Sequence, residues 1–387
     1  MVAECKVTVR ALLLNGIFDS PARCLFQEFV QFNGFYGCPF CLSPGETVKT
    51  SVNGRTHAYP FDSTGRTGHC KERTHEETVE HARVADSLLL EGKQTSVFGV
   101  KGSTWFLFVP GFDIIRGVAL DYMHCILLGV MKMLLNLWFD KAYRNESFYA
   151  GNHIKTVDER LTAISPPHYI TRTPRSLSQL SHFKASELKA FLLFYGVACM
   201  WQILPDEYFQ HFLLLVEGTY ILLQDSISNT DLEKAANLMK HFCINVAALY
   251  GDRFQTSNVH MLLHLKQKVK DLGPLWCNSC FYFEDFNGEL RNLFHGTQKI
   301  DMQITLAVCI QQKIPEMESC LHYGSSAFEF YEQLTGRKNT HSKVPISQGI
   351  NCIGALQYFE ATSGEKNAIA QVLGGPVSKC FKFSRLD

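Results

Sequence analysis

Gly37-Cys-Pro-Phe-Cys41 and Asn258-Val-His-Met-Leu-Leu-His264 lie far apart in the chain, yet their residue types and local spacings are those of one zinc site. A Cys-x-x-Cys turn sets two thiolates along one edge of a tetrahedron. Histidines four apart on a helix present two imidazoles to one face, so Cys38, Cys41, His260 and His264 supply a closed Cys2His2 set. Each pair also has an ordinary reading, the cysteines as small buried hydrophobes and the histidines as core residues bonded to backbone carbonyls. Cys277 and Cys280 offer a competing four-thiolate site with Cys38 and Cys41. That alternative ranks second, because it stands four residues before Glu284 and would crowd its carboxylate.

Each pair stands a short step from an acid. Asp19 lies nineteen residues before Cys38, and Glu284 twenty residues after His264. A metal that ties the two pairs together also draws these carboxylates toward one another. Paired carboxylates at the mouth of a hydrophobic core are a means of binding Mg2+ for phosphoryl transfer, so the arrangement points to a nucleic-acid-cutting core.

The flanking sequence supports an α/β setting for these groups. Val7 to Phe18 is an apolar run ending at Asp19, which predicts a buried central strand with its functional group at the end. Pro21 suits the first turn of a helix reaching Phe32, and a Gly-rich turn from Gly34 to Gly37 delivers the cysteines. Leu42 to Thr104 is polar, with one helix predicted from His75 to Leu90; His69, Cys70, His75 and His81 there read as solvated. Apolar character resumes at Trp105 to Pro110, and Val118 leads into Asp121-Tyr-Met-His124.

Beyond His124 the periodicity is helical. Cys125 to Phe139 is apolar nearly all round and predicts a buried helix. Further helices are predicted at Val157–Ile164, Ser186–Gln202, Asp206–Gln224 and Asp231–Tyr250, the last capped by Thr230 and stopped by Gly251. Asn258 to Leu272 carries the histidines and closes at Gly273-Pro274. Helices over Phe283–Phe294 and Thr305–Gln312 follow. The Gly-, Ser- and Thr-rich end, with alternating segments such as Cys380–Phe383, predicts a small β-rich C-terminal appendage.

Composition sets the class. The 387 residues, 46% hydrophobic and 12% aromatic, suffice for a sizeable core. Fourteen cysteines without a signal peptide or regular framework indicate reduced thiols in cytosol or nucleus rather than a secreted protein. No apolar run reaches the roughly 18 residues needed to cross a bilayer, so no membrane partner is expected. Lysines and arginines equal aspartates and glutamates at 37 each, which argues against a strongly basic nucleic-acid-binding domain. The best local basic segment runs from His168 to Lys189. Arg172, Arg175, Lys184 and Lys189 there are candidate DNA contacts, with a solvated helix start as the other reading.

Several runs together resemble the transposase of CACTA-type (En/Spm) DNA transposons. They are Gly16-Ile-Phe-Asp-Ser-Pro-Ala-Arg23, Gln31-Phe-Asn-Gly-Phe-Tyr-Gly-Cys-Pro-Phe-Cys41, Asp121-Tyr-Met-His-Cys-Ile-Leu-Leu-Gly129, Asn258-Val-His-Met-Leu-Leu-His-Leu265 and Phe283-Glu-Asp-Phe-Asn-Gly288. Thr171-Arg-Thr-Pro-Arg-Ser176 matches more loosely. The matches run in family order from about residue 8 to residue 300. The resemblance implies an RNase H-like core interrupted by a large all-helical insertion. Its segments would be 1–124 (partial core with the zinc-ligand excursion), 125–255 (insertion), 256–320 (return to core) and 321–387 (appendage).

In such enzymes three acids hold two divalent metals, Mg2+ or Mn2+, beside a structural Zn2+ set. Asp19 matches the second acid and Glu284 the third, with Asp285 adjacent; Asp121 and His124 match an Asp-x-x-His element. No match to the first acid is present, since Glu4 is the only acid before Asp19, and the chain reads as starting inside the fold. The resemblance implies DNA, as transposon ends, for a partner, allows a homo-oligomer, and implies a nuclear location. The activity implied is DNA cleavage and strand transfer. A non-catalytic remnant or domesticated interaction module is the other class.

Overall fold

The computed structural model describes residues 11–51, 53–61, 70–93, 96–167, 170, 172–335, 343–347, 350–353, 357–376, 380–382 and 385–386. It is mostly helical and divides into two compact units, Met1–Asp285 and Phe286–Asp387. The boundary falls inside the Phe281–Leu290 helix, so Glu284 belongs with the first unit. The 256–320 segment expected from the sequence is thus divided between the two.

Among the described residues the predicted central strand is represented by one parallel bridge. Gly16 pairs with Val118, through Gly16 N to Gly117 O at 2.9 Å and Ala119 N to Gly16 O at 2.9 Å. Residues 11–15 carry no strand, Leu12 and Leu14 are exposed, and residues 7–10 lie outside the described set. An apolar run alone does not make a strand, because its backbone groups need partners along the whole length. The register nonetheless has a consequence. Asp19 is three residues after Gly16 and Asp121 three after Val118, so the two parallel segments bring both acids to the same end.

Asp19 then caps a helix. Its backbone is extended and its Oδ1 accepts from Ala22 N at 2.8 Å, which starts Ser20–Gln27 with Pro21 in the first turn. That helix is shorter than the sequence predicts. Glu28 adopts a left-handed conformation, φ 54°, and ends it before Phe32. A small apolar cluster of Phe29, Ala82, Val100, Leu107, Phe112, Ile114, Ile115 and Val118 packs beneath it. Gln27 Nε2 ties the helix to Ile114 O at 2.8 Å.

The His75–Leu90 helix occurs as predicted, capped by Thr74 with Glu76 and Glu77 in its first turn. The polar excursion before it holds an antiparallel hairpin, Glu46–Lys49 with Arg55–Ala58, that its composition did not announce. The remaining helices of the first unit surround one large core.

The run after His124 is a π-helix over Met123–Met131 continued by an α-helix over Lys132–Phe139. Trp138, Leu134 and Leu135 are fully buried, and the Trp138 ring meets Phe212 edge to face at 5.4 Å. Asp206–Leu222 and Asn229–Tyr250 pack alongside. The last begins two residues earlier than expected, because Ser228 rather than Thr230 is the cap, accepting from Asp231 N at 3.1 Å. Gly251, φ 99°, stops it as predicted. The predicted Ser186–Gln202 helix is Ala185–Ala190, a π-turn over Phe191–Tyr195, and Gly196–Met200. Among the described residues no helix is long and apolar enough to cross a membrane.

The second unit contains the helices Ile300–Glu318, Ser326–Leu334 and Ser363–Leu373. Its short strands pair antiparallel, Lys343–Ser347 with Ile350–Ile353 and Arg385–Leu386, and Gln357–Phe359 with Cys380–Lys382. The predicted β-rich end is therefore a mixture of helix and strand.

The segment bearing the histidines is placed by a close helix crossing. A Cβ added to Gly129 would fall 2.5 Å from Asn258 Nδ2 and 2.9 Å from Asn258 Cβ. Cys125 Sγ donates to Asn258 O at 3.4 Å, and Cys243 Sγ to Val259 O at 3.1 Å. Glycine at 129 thus sets how near the His260 turn approaches the buried π-helix. Gly129→Val is expected to destabilise the protein by about 1–3 kcal/mol through overpacking. Urea denaturation measures this, and an unchanged midpoint would show that the crossing is not set there.

Candidate metal centre and carboxylate cluster

Thr256 caps the Ser257–Met261 helix, and the backbone tightens to a 3-10 turn over Leu262–His264 before continuing as Leu265–Leu272. The two imidazoles point to one side. On the other part of the chain, Gly37 allows the tight turn before Cys38, since a Cβ there would meet Gln31 O at 2.4 Å.

The four predicted ligands meet. Cys38, Cys41, His260 and His264 are all buried, with their ligand atoms within 4.8 Å of one another. Cys41 Sγ is 3.3 Å from His260 Nε2, Cys38 Sγ is 3.5 Å from His264 Nε2, and the two Nε2 atoms are 3.4 Å apart. Metal bonds of about 2.3 Å to sulfur and about 2.0 Å to nitrogen imply tetrahedral edges of roughly 3.5 Å for S–N and roughly 3.3 Å for N–N. The observed separations are those edges. The competing set does not assemble: Cys277 is exposed, and Cys280 lies against Asp121 and His124 instead of the other thiols.

Burial opposes ionisation of Cys38, but its hydrogen bond with Cys41 and the nearby His264 and His260 bring its pKa well below the usual thiol value. The same hydrogen bond, with burial, pushes Cys41 up.

Around this centre stand residues that spacing could not identify. Arg73, 4% exposed, donates from Nε to Cys38 O at 2.9 Å and Cys41 O at 3.1 Å. Its NH2 group donates to Tyr36 O at 2.8 Å and Phe98 O at 2.7 Å. One guanidinium therefore gathers four carbonyls and fixes the cysteine turn. Tyr59 stacks on His260 with centroids 5.0 Å apart and donates to Phe32 O at 2.7 Å, and Phe40 meets His264 edge on at 5.6 Å. Cys70, read as solvated, is half-buried. Its hydrogen bond with Cys41 holds its thiol down at about 6, against the opposing effect of burial. His75 accepts from Ile114 N at 3.3 Å, and His81 packs on Phe98 at 4.9 Å. Both are structural rather than merely solvated. His69 and Glu4 lie outside the described residues.

The second cluster is built on Asp121, 4% exposed. Its Oδ1 accepts from Met123 N at 3.2 Å, Ser279 Oγ at 3.2 Å and Cys280 N at 3.0 Å. Its Oδ2 accepts from His124 N at 3.1 Å and faces His124 Nδ1 at 2.6 Å. Asp121 therefore pins the start of the π-helix to the turn that leads into the Glu284 helix. Burial works against its ionisation, but these bonds and the His124 charge bring its pKa below the ordinary value.

His124 Nε2 lies 3.4 Å from Glu284 Oε1. The Asp121 hydrogen bond raises the His124 pKa against partial burial, with further support from the charges of Asp121, Glu284 and Asp19. The predicted acids Asp19, half-buried, and Glu284, exposed, thus both lie within electrostatic reach of one imidazole.

The basic segment does not form a uniform cationic face. Arg175 is engaged with Glu187 Oε2 at 2.8 Å and His182 O at 2.6 Å, and stacks over Phe183 at 5.3 Å. Lys189 is half-buried with its ammonium 6.0 Å from the Phe281 ring. Arg172 and Lys184 are exposed, and His168 lies outside the described residues. No family model matches the chain, and no curated protein matches it.

The Asp121–His124 pair carries a pH signature. A raised imidazole contributes stability fully below its unfolded value near 6.5 and loses it as pH rises through the folded value. A depressed carboxyl contributes above about 3.9 and loses it as pH falls through its folded value. His124→Gln is therefore expected to cost most between about pH 4 and 6.5, with the deficit shrinking at alkaline pH. Urea denaturation of both proteins from pH 5 to 9 checks this; a pH-independent deficit would contradict it.

Proposed function

We propose that this chain is a zinc-braced core of a CACTA-type transposase, of RNase H-like ancestry, that presents Asp19 and Glu284 for divalent-metal-dependent cleavage and strand transfer of DNA. The carrying observation is that two separate ligand pairs and two acids, all read from motif spacing, converge in one unit. Cys38, Cys41, His260 and His264 are the structural zinc ligands, because the set is closed, buried and tetrahedral in its edges. Zinc binding there needs both thiols deprotonated, and because folding brings the four ligands together, bound metal stabilises the folded unit.

Mg2+ or Mn2+, when bound, supplies charge neutralisation of the phosphate and a more acidic water or 3′-hydroxyl. The residues of this chain do the positioning. Asp19 offers its carboxylate at a helix N-terminus, Glu284 offers a solvent-facing one, and His124, oriented by Asp121, holds Glu284 toward the cluster. Arg172 and Lys184, both exposed, would meet duplex phosphates, while Arg175 serves the fold. Nuclear DNA at transposon ends is the partner on this reading, and assembly as a homo-oligomer is compatible with it.

A second reading, a non-catalytic module that keeps the zinc brace, is favoured by one observation. Asp121 is saturated with hydrogen bonds and Asp19 is occupied as a helix cap, so neither is poised as an uncommitted metal ligand. Two outcomes separate the readings and the metal from its alternatives.

The purified chain is expected to carry one equivalent of zinc by elemental analysis. Cys41→Ser and His264→Ala should release it and destabilise the fold, whereas Cys277→Ser should not; full zinc in the first two variants would remove the assignment.

The catalytic reading is tested on supercoiled plasmid with Mn2+. Nicking by the zinc-loaded chain that falls at least about a hundredfold in Asp19→Ala and Glu284→Ala supports it, since removing a ligand of a catalytic metal abolishes the charge stabilisation it supplies. No nicking above background, with zinc retained, leaves the interaction module.

A further inference from the structure

One open groove of the first unit lies outside the metal centre and the acid cluster. It has a volume of about 510 Å3 and is lined by Lys189, Phe194, Tyr220, Gln224, Asp225 and Trp276, among others. Its three rings are exposed by 51% at Phe194, 57% at Tyr220 and 40% at Trp276. Among the described residues neither Tyr220 nor Trp276 packs on another ring. Large aromatic faces left in water around one groove are unfavourable unless something covers them.

The polar groups show what kind of molecule that is. Lys189 has no ion pair among the described residues, its ammonium resting instead near the Phe281 ring. Asp225 and Gln224 stand among the lining residues with acceptor oxygens. A cation next to flat rings and side-chain acceptors matches a nucleotide, in which the phosphate meets the lysine, the base stacks, and base amino groups find acceptors. An apolar peptide helix would leave Lys189 and Asp225 uncompensated.

The position is equally specific. Trp276 sits in the Leu275–Asn278 turn, directly before Ser279 and Cys280, which donate to Asp121. Phe281 begins the helix on which Glu284 follows three residues later, a rise of about 4.5 Å.

We infer that this groove binds unpaired nucleotides of a single-stranded nucleic acid, stacking bases on Phe194, Tyr220 and Trp276 and anchoring a phosphate at Lys189. The inference rests on the nucleic-acid reading above and adds to it a site for strand ends that are no longer base-paired. It explains why aromatic residues of three separate elements stay exposed around one groove. Duplex DNA cannot use the site, because its bases are already stacked on one another.

The test uses the full zinc-loaded chain and fluorescence anisotropy with a labelled twelve-nucleotide single strand and the corresponding duplex. The double variant Phe194→Ala/Trp276→Ala is expected to weaken single-strand binding at least about tenfold, the sum of two stacking losses. Duplex binding and zinc content should not change, and Trp276→Phe should keep most of the affinity. Lys189→Gln should flatten the salt dependence of single-strand binding. A single strand carrying 5-iodouracil, photocrosslinked to the wild-type chain, should label the peptide containing Trp276 or Phe194, which tests the site without any substitution.

Equal single-strand affinity in wild type and double variant, or crosslinks confined to other peptides, would overturn the inference. Metal-dependent nicking with no role for the rings would remove the groove and leave the proposed function. Ring-dependent single-strand binding without nicking would do the reverse.

Discussion

Closure of Cys38 and Cys41 onto His260 and His264 is the contact on which the first unit depends. Cys41 and His260 are 219 residues apart in sequence, yet their atoms meet at 3.3 Å. Closing so long a loop costs entropy that grows only slowly with its length, so a metal bound by these four side chains would be an effective cross-link. Four buried polar ligands without a shared dication would be a costly cluster of thiols and imidazoles in an apolar core. The surrounding Arg73, Tyr59 and Phe40 make sense as the shell that orients them.

Two buried arginines lie close to this centre, and neither pairs with a carboxylate in the described contacts. Arg73 is satisfied by backbone carbonyls. Arg23 donates to Ser20 Oγ at 3.2 Å and stands 5.7 Å over the Phe40 ring. Burial lowers the pKa of Arg23, while the charges of Cys24, Cys38, Cys125 and Asp121 act in the opposite direction. Asp19 caps the short helix that carries Arg23. Arg23 carries no ligand motif, so a reading of spacing alone does not bring it out.

Asp121 performs the corresponding task at the other centre. Five donors converge on its two oxygens, from the π-helix start and from Ser279 and Cys280. A buried carboxylate is tolerable only when its lone pairs are filled, and here the filling also fixes His124 and the entry to the Glu284 helix. The Asp-x-x-His spacing is therefore a local knot: the acid orients the imidazole, and the imidazole reaches Glu284.

The sequence by itself determined what local chemistry can determine. The Cys-x-x-Cys turn, the histidines four apart, the helix over His75–Leu90, the stop at Gly251 and the buried character of Cys125–Phe139 all follow from spacing, capping and periodicity within a few turns of chain. Tertiary structure decided the rest. It assigned Cys280 to Asp121 rather than to Cys38, turned Arg175 inward to Glu187, and moved a helix cap from Thr230 to Ser228. Among the described residues it also left the apolar run before Asp19 with a parallel bridge at Gly16 in place of a strand. Arg73, Tyr59 and Cys70 carry no motif, and only the path of the chain sets them around the ligands. The physical reason is common to all these cases: a side chain's partner is chosen by distance and burial in three dimensions, whereas spacing along the chain records only which residues share a turn.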